Sequence, residues 1–153
     1  MIETRHEPPD GPAAQALWAE YMALVSERAG PEFEPTERIF GTVDAFRGPN
    51  ATWLVLYDDA EPVACAGLRE LELGVAEIKR MFVTPRARGR GLGRRLLAEL
   101  EGLARDGGQH TMRLFATDML PEAMALYASA GYTVRSSQPV EGGRTEFWLE
   151  KPL

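Results

Sequence analysis

The chain has 153 residues, 44% hydrophobic and 26% charged, which is typical of one folded globular domain covering residues 1–153. No apolar run reaches the roughly 20 residues that cross a bilayer, and the N-terminus lacks the apolar segment of a signal peptide, so we expect a cytoplasmic protein with no membrane partner. The single Cys65 excludes an internal disulfide, two separated histidines offer no metal-ligand spacing, and a net charge of −6 argues against a nucleic-acid partner.

The first half of the chain predicts two helices followed by a hairpin. Asp10-Gly11-Pro12 marks a helix start with an acidic cap, and this helix should end near Gly30. A second, shorter helix is predicted over residues 35–46. Strand formers at residues 52–57 and 62–68 indicate two antiparallel strands joined by a turn.

The second half alternates strands and helices. Strands are predicted at residues 75–83 and 111–115, on either side of an amphipathic helix over residues 92–104, and such a unit forms a right-handed crossover between parallel strands. The remaining predicted elements are a helix at 121–130 and strands at 132–135 and 146–150. This order predicts an α/β (α+β) fold, with a mixed, mostly antiparallel sheet and about four helices.

The loop between residues 83 and 92 has a composition that suits a phosphate. Seven of the 17 basic residues fall between residues 79 and 95. A helix start presents unpaired N–H groups to an anion, and glycines let a ligand approach the backbone closely. A dinucleotide motif would need glycine where Arg94 stands, and a Walker Gly-Lys-Ser/Thr is absent. We therefore expect a phosphate-bearing cofactor, with a glycine-rich turn carrying solvated arginines as the alternative.

Two spaced motifs resemble the GNAT superfamily of N-acetyltransferases. They are Arg88-x-x-Gly91-x-Gly93 and Ala123-x-x-Leu126-Tyr127-x-x-x-Gly131-Tyr132. The chain departs from the pattern at Leu120, where many members carry asparagine. The resemblance implies a GNAT-like fold in which a central pair of parallel strands splays apart. It also implies an enzyme that transfers acetyl from acetyl-CoA directly to an amine.

The same resemblance assigns cofactor-binding residues. Backbone groups at the end of the strand over residues 75–83 would bond the pantetheine arm, and amides of the following loop would hold the pyrophosphate. The implied residues are Met81, Phe82, Val83, Arg88, Gly89, Arg90, Gly91, Leu92, Gly93 and Arg94. Either Arg86 or Arg88 would reach a further phosphate.

Two side chains are candidates for catalysis. The resemblance implies that Tyr127 protonates the departing thiolate, although a tyrosine on an apolar stripe is also typical of a core. The resemblance also implies Glu77 as the general base, and the alternative is that Glu77 is a strand carboxylate paired with Lys79 or Arg80. The reserve candidates for the base are Glu70 and Glu72. Cys65 lies in a hydrophobic strand, so we expect no acyl-enzyme.

The acceptor amine stays open between a small molecule and a protein N-terminus. Acidic residues near the first helices would suit a cationic amine, but such charges are usually solvated; they are Glu32, Glu34 and Asp44. The main alternative to an enzyme is a non-catalytic acyl-CoA sensor, and a nucleic-acid module is a more distant one. The oligomeric state is also open, with a homodimer as one option.

Overall fold

The computed structural model describes residues 1–153 as a seven-stranded sheet with helices packed on both faces. In chain order the elements are β1 (Ile2–His6), α1 (Pro12–Ala29), α2 (Glu37–Phe40), β2 (Thr52–Asp58), β3 (Glu61–Glu72), β4 (Val75–Val83), α3 (Leu92–Asp106), β5 (Thr111–Thr117), α4 (Pro121–Ser129), β6 (Thr133–Val140) and β7 (Arg144–Pro152). Short 3₁₀ turns cover Val43–Phe46 and Pro85–Ala87. The predicted mixed α/β fold with four helices is confirmed.

The sheet has the order β1-β2-β3-β4-β5-β7-β6, and only β4 and β5 run parallel. These two strands pair from Val75 opposite Thr111 to Ile78 opposite Leu114, and no further. Beyond that point β4 continues to Val83 while still paired with β3, and β5 continues beside β7. The predicted central pair therefore separates, and the sheet opens in its middle.

Two apolar layers cover the two faces of the sheet. On one face α3 buries its leucine stripe, including Leu96, Leu97 and Leu100, against β2, β3, β4 and β5. On the other face α1 packs with Trp53 and Phe82. Successive residues of a strand point to opposite faces, so β2 and β3 supply both layers. Burying each leucine contributes about 1.5–3 kcal/mol. None of the helices combines the length and the apolarity that a membrane span requires.

β4 contains a bulge just before its open end. Cys65 pairs with Phe82 and Gly67 with Lys79, so Arg80 and Met81 together face a single residue of β3. Arg80 adopts φ 56°, a left-handed conformation that is unusual for a residue with a side chain. Such a bulge changes which side chains face each side of the sheet. At the end of β4, beside the gap, neighbouring side chains therefore lie on both faces of the sheet.

Several predicted boundaries differ from the structure. β1 was not predicted, because its sequence IETRH is an exposed, mostly polar edge strand without apolar alternation. The second predicted helix is interrupted at Gly41, whose φ of 70° ends α2 after one turn. The cap of α1 is Gly11 rather than Asp10, and the Asp10 carboxylate instead pairs with Arg47 at 2.9 Å. The last two strands are also longer than predicted.

Candidate active site

A first cleft of about 290 Å³ opens where β4 and β5 separate, between α3 and α4. Its lining residues are Tyr21, Leu24, Met81, Phe82, Val83, Ala87, Arg88, Gly89, Gly91, Leu92, Gly93, Arg94, Leu120, Glu122, Ala123, Leu126 and Tyr127. Every residue that the sequence assigned to cofactor binding lines it except Arg90. The strand end, the glycine loop and the start of α3 thus form one continuous wall.

The loop glycines contribute in two different ways. Gly89 and Gly91 have φ of 79° and 75°, which side chains rarely tolerate, and Gly91 caps α3 without any side-chain hydrogen bond. The first amides of α3 therefore stay available to an anion. At Gly93 a Cβ atom would lie 2.7 Å from Leu126 Cδ2, so this glycine lets α4 pack closely against α3.

The arginines of the loop point in different directions. Arg88 and Arg94 line the first cleft, with Arg88 Nη1 3.5 Å from Glu122 and Arg94 donating to Ser129. Arg90 donates to Asp58 at 2.7 Å, outside the cleft. Arg86 donates to Glu20 and Glu61, also outside the cleft. The positive charge of the cleft therefore comes from Arg88 and Arg94. Of the two candidates for a further phosphate, Arg88 faces the cleft and Arg86 does not.

A second cleft of about 60 Å³ lies beside the first, between α1, α2 and the separated strands. Its lining residues are Tyr21, Val25, Ile39, Phe40, Ile78, Lys79, Arg80, Met81, Phe115, Ala116, Thr117, Leu120, Ala123 and Tyr127. The two clefts share five residues, which are Tyr21, Met81, Leu120, Ala123 and Tyr127. The open end of β4 therefore separates two cavities that meet at one point.

Tyr127 stands at this meeting point. Its side chain is 6% exposed and packs edge to face with Tyr132, at 6.2 Å between ring centroids. The Tyr132 hydroxyl donates to Glu101 at 2.8 Å and is a structural group. Burial raises the pKa of Tyr127 to about 12, because the phenolate would lie in an apolar surrounding. Its phenol therefore keeps its proton at neutral pH.

The carboxylates considered as bases are placed away from the clefts. Glu77 is fully buried, with Oε1 accepting from Arg69 Nε at 2.8 Å and Oε2 3.6 Å from Lys79 Nζ. It lines neither cleft, whereas Lys79 lines the second. Glu70 accepts from Gln109, and Glu72 pairs with Arg113; both also lie outside the two clefts.

Sequence reasoning missed Tyr21 as a residue of the site. It lines both clefts and stacks on Phe82, with ring centroids 5.0 Å apart. Tyr21 lies among the apolar residues of α1, and periodicity alone does not distinguish a core residue from a cleft wall. Cys65 is buried and lines neither of these two clefts, and its burial raises the pKa of its thiol to about 12. It is therefore a poor nucleophile.

A family comparison identifies the fold's relatives. The model of the Acetyltransferase (GNAT) family matches residues 13–132. The chain belongs to the GNAT family. An IAA acetyltransferase of Azospirillum brasilense is 35% identical over 107 residues, which cover 69% of the GNAT chain described here and 70% of that protein. The L-amino acid N-acyltransferase MnaT of Escherichia coli is 34% identical over 70 residues, 46% of this chain and 41% of that protein.

Solved structures agree with this assignment. A candidate acyl-CoA N-acyltransferase from Klebsiella pneumoniae has a TM-score of 0.77 at 28% identity and covers 100% of this GNAT chain and 98% of its own. A GNAT acetyltransferase from Staphylococcus aureus has a TM-score of 0.80 at 12% identity, over 100% and 99% of the two chains, and shares the fold. The prediction of an N-acetyltransferase enzyme is confirmed.

Proposed function

We propose that this GNAT enzyme transfers an acetyl group from acetyl-CoA directly to the amine of a small molecule or a protein N-terminus. The observation that carries the proposal is the meeting of two clefts at Met81 and Tyr127, in the gap between β4 and β5. A donor in the first cleft and an acceptor in the second would bring their reacting atoms together at this point. Holding two reactants in contact removes much of the entropic barrier to their reaction.

The first cleft has the features that a coenzyme A donor requires. The unpaired edge of β4 at Met81 and Val83 would hydrogen-bond the pantetheine arm as an added strand would. The amides between Gly89 and Arg94 would hold the pyrophosphate, and the Arg88 and Arg94 side chains would add positive charge. The donor brings an acetyl thioester to the junction of the clefts.

The reaction follows from groups at the junction. The amine nitrogen attacks the thioester carbonyl, a C–N bond forms and the C–S bond breaks. A main-chain N–H at the open end of β4 would stabilise the negative charge that develops on the carbonyl oxygen. The Tyr127 phenol would donate its proton to the sulfur as it leaves. The proton lost by the amine goes to a base, either directly or through water.

Glu77 is the base that we propose, acting across Lys79. Its Oε2 is 3.6 Å from Lys79 Nζ, and Lys79 lines the second cleft and is buried, which lowers its pKa. In this relay the Lys79 ammonium would pass a proton to Glu77 Oε2 and take up the proton that the amine loses. Glu77→Gln should then shift the acidic limb of the kcat/KM profile. An unshifted limb with a lower Tm would assign Glu77 a purely structural role.

Two measurements test the proposal as a whole. An amine library incubated with acetyl-CoA should give enzyme-dependent thiol release with at least one acceptor. Acetyl-CoA should also raise the Tm, because a ligand that binds the folded state stabilises it, and pantetheine without phosphates should raise it much less. Absence of thiol release with every amine, despite a Tm increase, would contradict the transfer reaction. An equal Tm shift with both ligands would contradict the phosphate site.

A further inference from the structure

The wall of the second cleft carries positive charge without negative charge. Its only charged residues are Lys79 and Arg80. Lys79 is paired with Glu77, so its charge is largely compensated. The acidic residues that the sequence associated with a cationic amine are exposed and line neither cleft; they are Glu32, Glu34 and Asp44. Arg80 is therefore the uncompensated charge of the acceptor side.

Arg80 is positioned tightly but lacks an anionic partner. Its Nε donates to Phe40 O at 3.0 Å and its Nη2 to Gly41 O at 2.9 Å. Its guanidinium lies 4.3 Å from the centre of the Trp18 ring. Other arginines of this region, such as Arg86, form salt bridges, whereas Arg80 forms none. Burying a cation partly, without a counter-ion, costs free energy. The planar guanidinium of such an arginine is suited to binding the carboxylate of a ligand.

A third cleft of about 270 Å³ continues from Arg80 between α1 and the sheet. Trp53 lines this cleft, is 4% exposed, and has a buried Nε1 donor without any hydrogen-bond partner. Buried donors are normally satisfied, so this indole N–H is an unpaired donor in a residue that lines the same cavity. The one carboxylate of the cleft, Asp10, is already paired with Arg47. The donors that remain favour an anion.

We propose that the acceptor carries a carboxylate besides its amine, as an amino acid does, and that Arg80 binds this carboxylate. This inference rests on the proposed function, because it specifies the molecule that enters the second cleft. Arg80 and Met81 both line the second cleft, so an amine near Met81 leaves its carboxylate in the cavity that Arg80 lines. Phe40 and Phe115 in the same wall provide apolar contact for the rest of the acceptor.

The test compares acceptors that differ only in charge. L-Amino acids and their primary amides are assayed in pairs for thiol release from acetyl-CoA. The best amino acid should exceed its amide at least tenfold in kcat/KM. Amides that react as well as the acids, or a library in which only amines without carboxylate react, would overturn the inference and leave the proposed transfer reaction standing.

A variant and a binding assay assign the preference to Arg80. Arg80→Gln should abolish the tenfold preference while leaving the KM for acetyl-CoA unchanged, and Arg135→Gln, at an exposed arginine of β6, should keep it. Calorimetry with an N-acetyl-L-amino acid, the expected product, should show binding to wild type that Arg80→Gln weakens at least tenfold. If Arg80→Gln does not fold, Arg80→Lys replaces it and should weaken product binding, because lysine lacks the planar fork that binds a carboxylate with two hydrogen bonds. Equal heats for the folded variant and wild type would overturn the role of Arg80, even if no amine releases thiol.

Discussion

Replacing Tyr127 with phenylalanine should lower kcat about 100-fold, near the lower limit for general acid catalysis. The substitution removes one proton donor and keeps the ring, which is 6% exposed and packed against Tyr132. Contacts made by the ring exist before the reaction, so affinity for acetyl-CoA should stay within a few-fold. The proton matters only as negative charge builds on sulfur, and an interaction confined to the transition state changes kcat.

The magnitude follows from the acidity of the phenol. Burial raises the pKa of Tyr127 to about 12, whereas a thiol has an ordinary pKa of about 8.5. Complete proton transfer from this phenol to the thiolate would then be uphill by about 5 kcal/mol. The proton would therefore be only partly transferred to the sulfur in the transition state, and this partial transfer places the effect at about 10² rather than 10⁴.

The assay is single-turnover acetyl transfer, which separates chemistry from product release. Tyr132→Phe is the matched control, since it removes the hydrogen bond to Glu101 at 2.8 Å and should lower the Tm while sparing kcat. Tyr21→Phe tests the other tyrosine that lines both clefts. A loss of activity in Tyr21→Phe with none in Tyr127→Phe would move the acid to α1.

Leaving-group dependence provides a sharper test of the same reasoning. An acyl donor with a more acidic thiol needs less protonation, so Tyr127→Phe should lose less activity with it. An equal loss with both donors would refute the role of the phenol as an acid. A variant with lower Tm, weaker acetyl-CoA binding and normal kcat would show that Tyr127 is a core residue.

Three further outcomes are expected. Gly91→Val should abolish the Tm increase with acetyl-CoA, because φ at this position is 75°, which valine rarely adopts. Gly102→Ala within α3 should preserve the increase. Equal calorimetric heats for wild type and Gly91→Val would contradict the loop assignment. Gly67→Ala should reduce the urea-measured free energy of unfolding by about 1–3 kcal/mol, since its Cβ would lie within the Phe46 ring's contact distance; an unchanged midpoint would be inconsistent with that packing. The raised pKa of Tyr127 contributes stability that is complete below pH 10 and lost as pH rises from about 10 to 12, so Tyr127→Phe should flatten that loss in urea titrations.

The parts of the fold that were predictable carry strong local patterns. The leucine stripe of α3 reflects burial on one helix face, and β4 carries buried apolar residues at both ends; both elements were predicted close to their observed bounds. β1 has no such pattern, because an edge strand that faces water needs only its backbone to pair. The break at Gly41 depends on tertiary packing, since a Cβ there would lie 3.1 Å from Lys79 Cδ.

The parts of the site that consist of backbone were predictable from the sequence. The parts that depend on side-chain contacts between distant segments were not. The glycine loop and the end of β4 follow from motifs in sequence order. The partners of the arginine side chains do not follow from motifs, because each long side chain pairs with whichever carboxylate the fold brings near it, as Arg90 does with Asp58. The lack of a carboxylate partner for Arg80 was likewise not predictable, because its side chain donates to the carbonyls of Phe40 and Gly41 at the end of α2.

The gap in the sheet has a consequence for the order of binding. Only four residue pairs connect β4 to β5, so the sheet consists of two halves joined along a short seam. A donor lying in the gap would continue that seam and hold the halves at a fixed spacing. The second cleft takes its walls from both halves, Lys79 and Arg80 from one and Phe115 from the other. A bound donor would therefore fix the width of the second cleft, and steady-state kinetics should show the acceptor binding second.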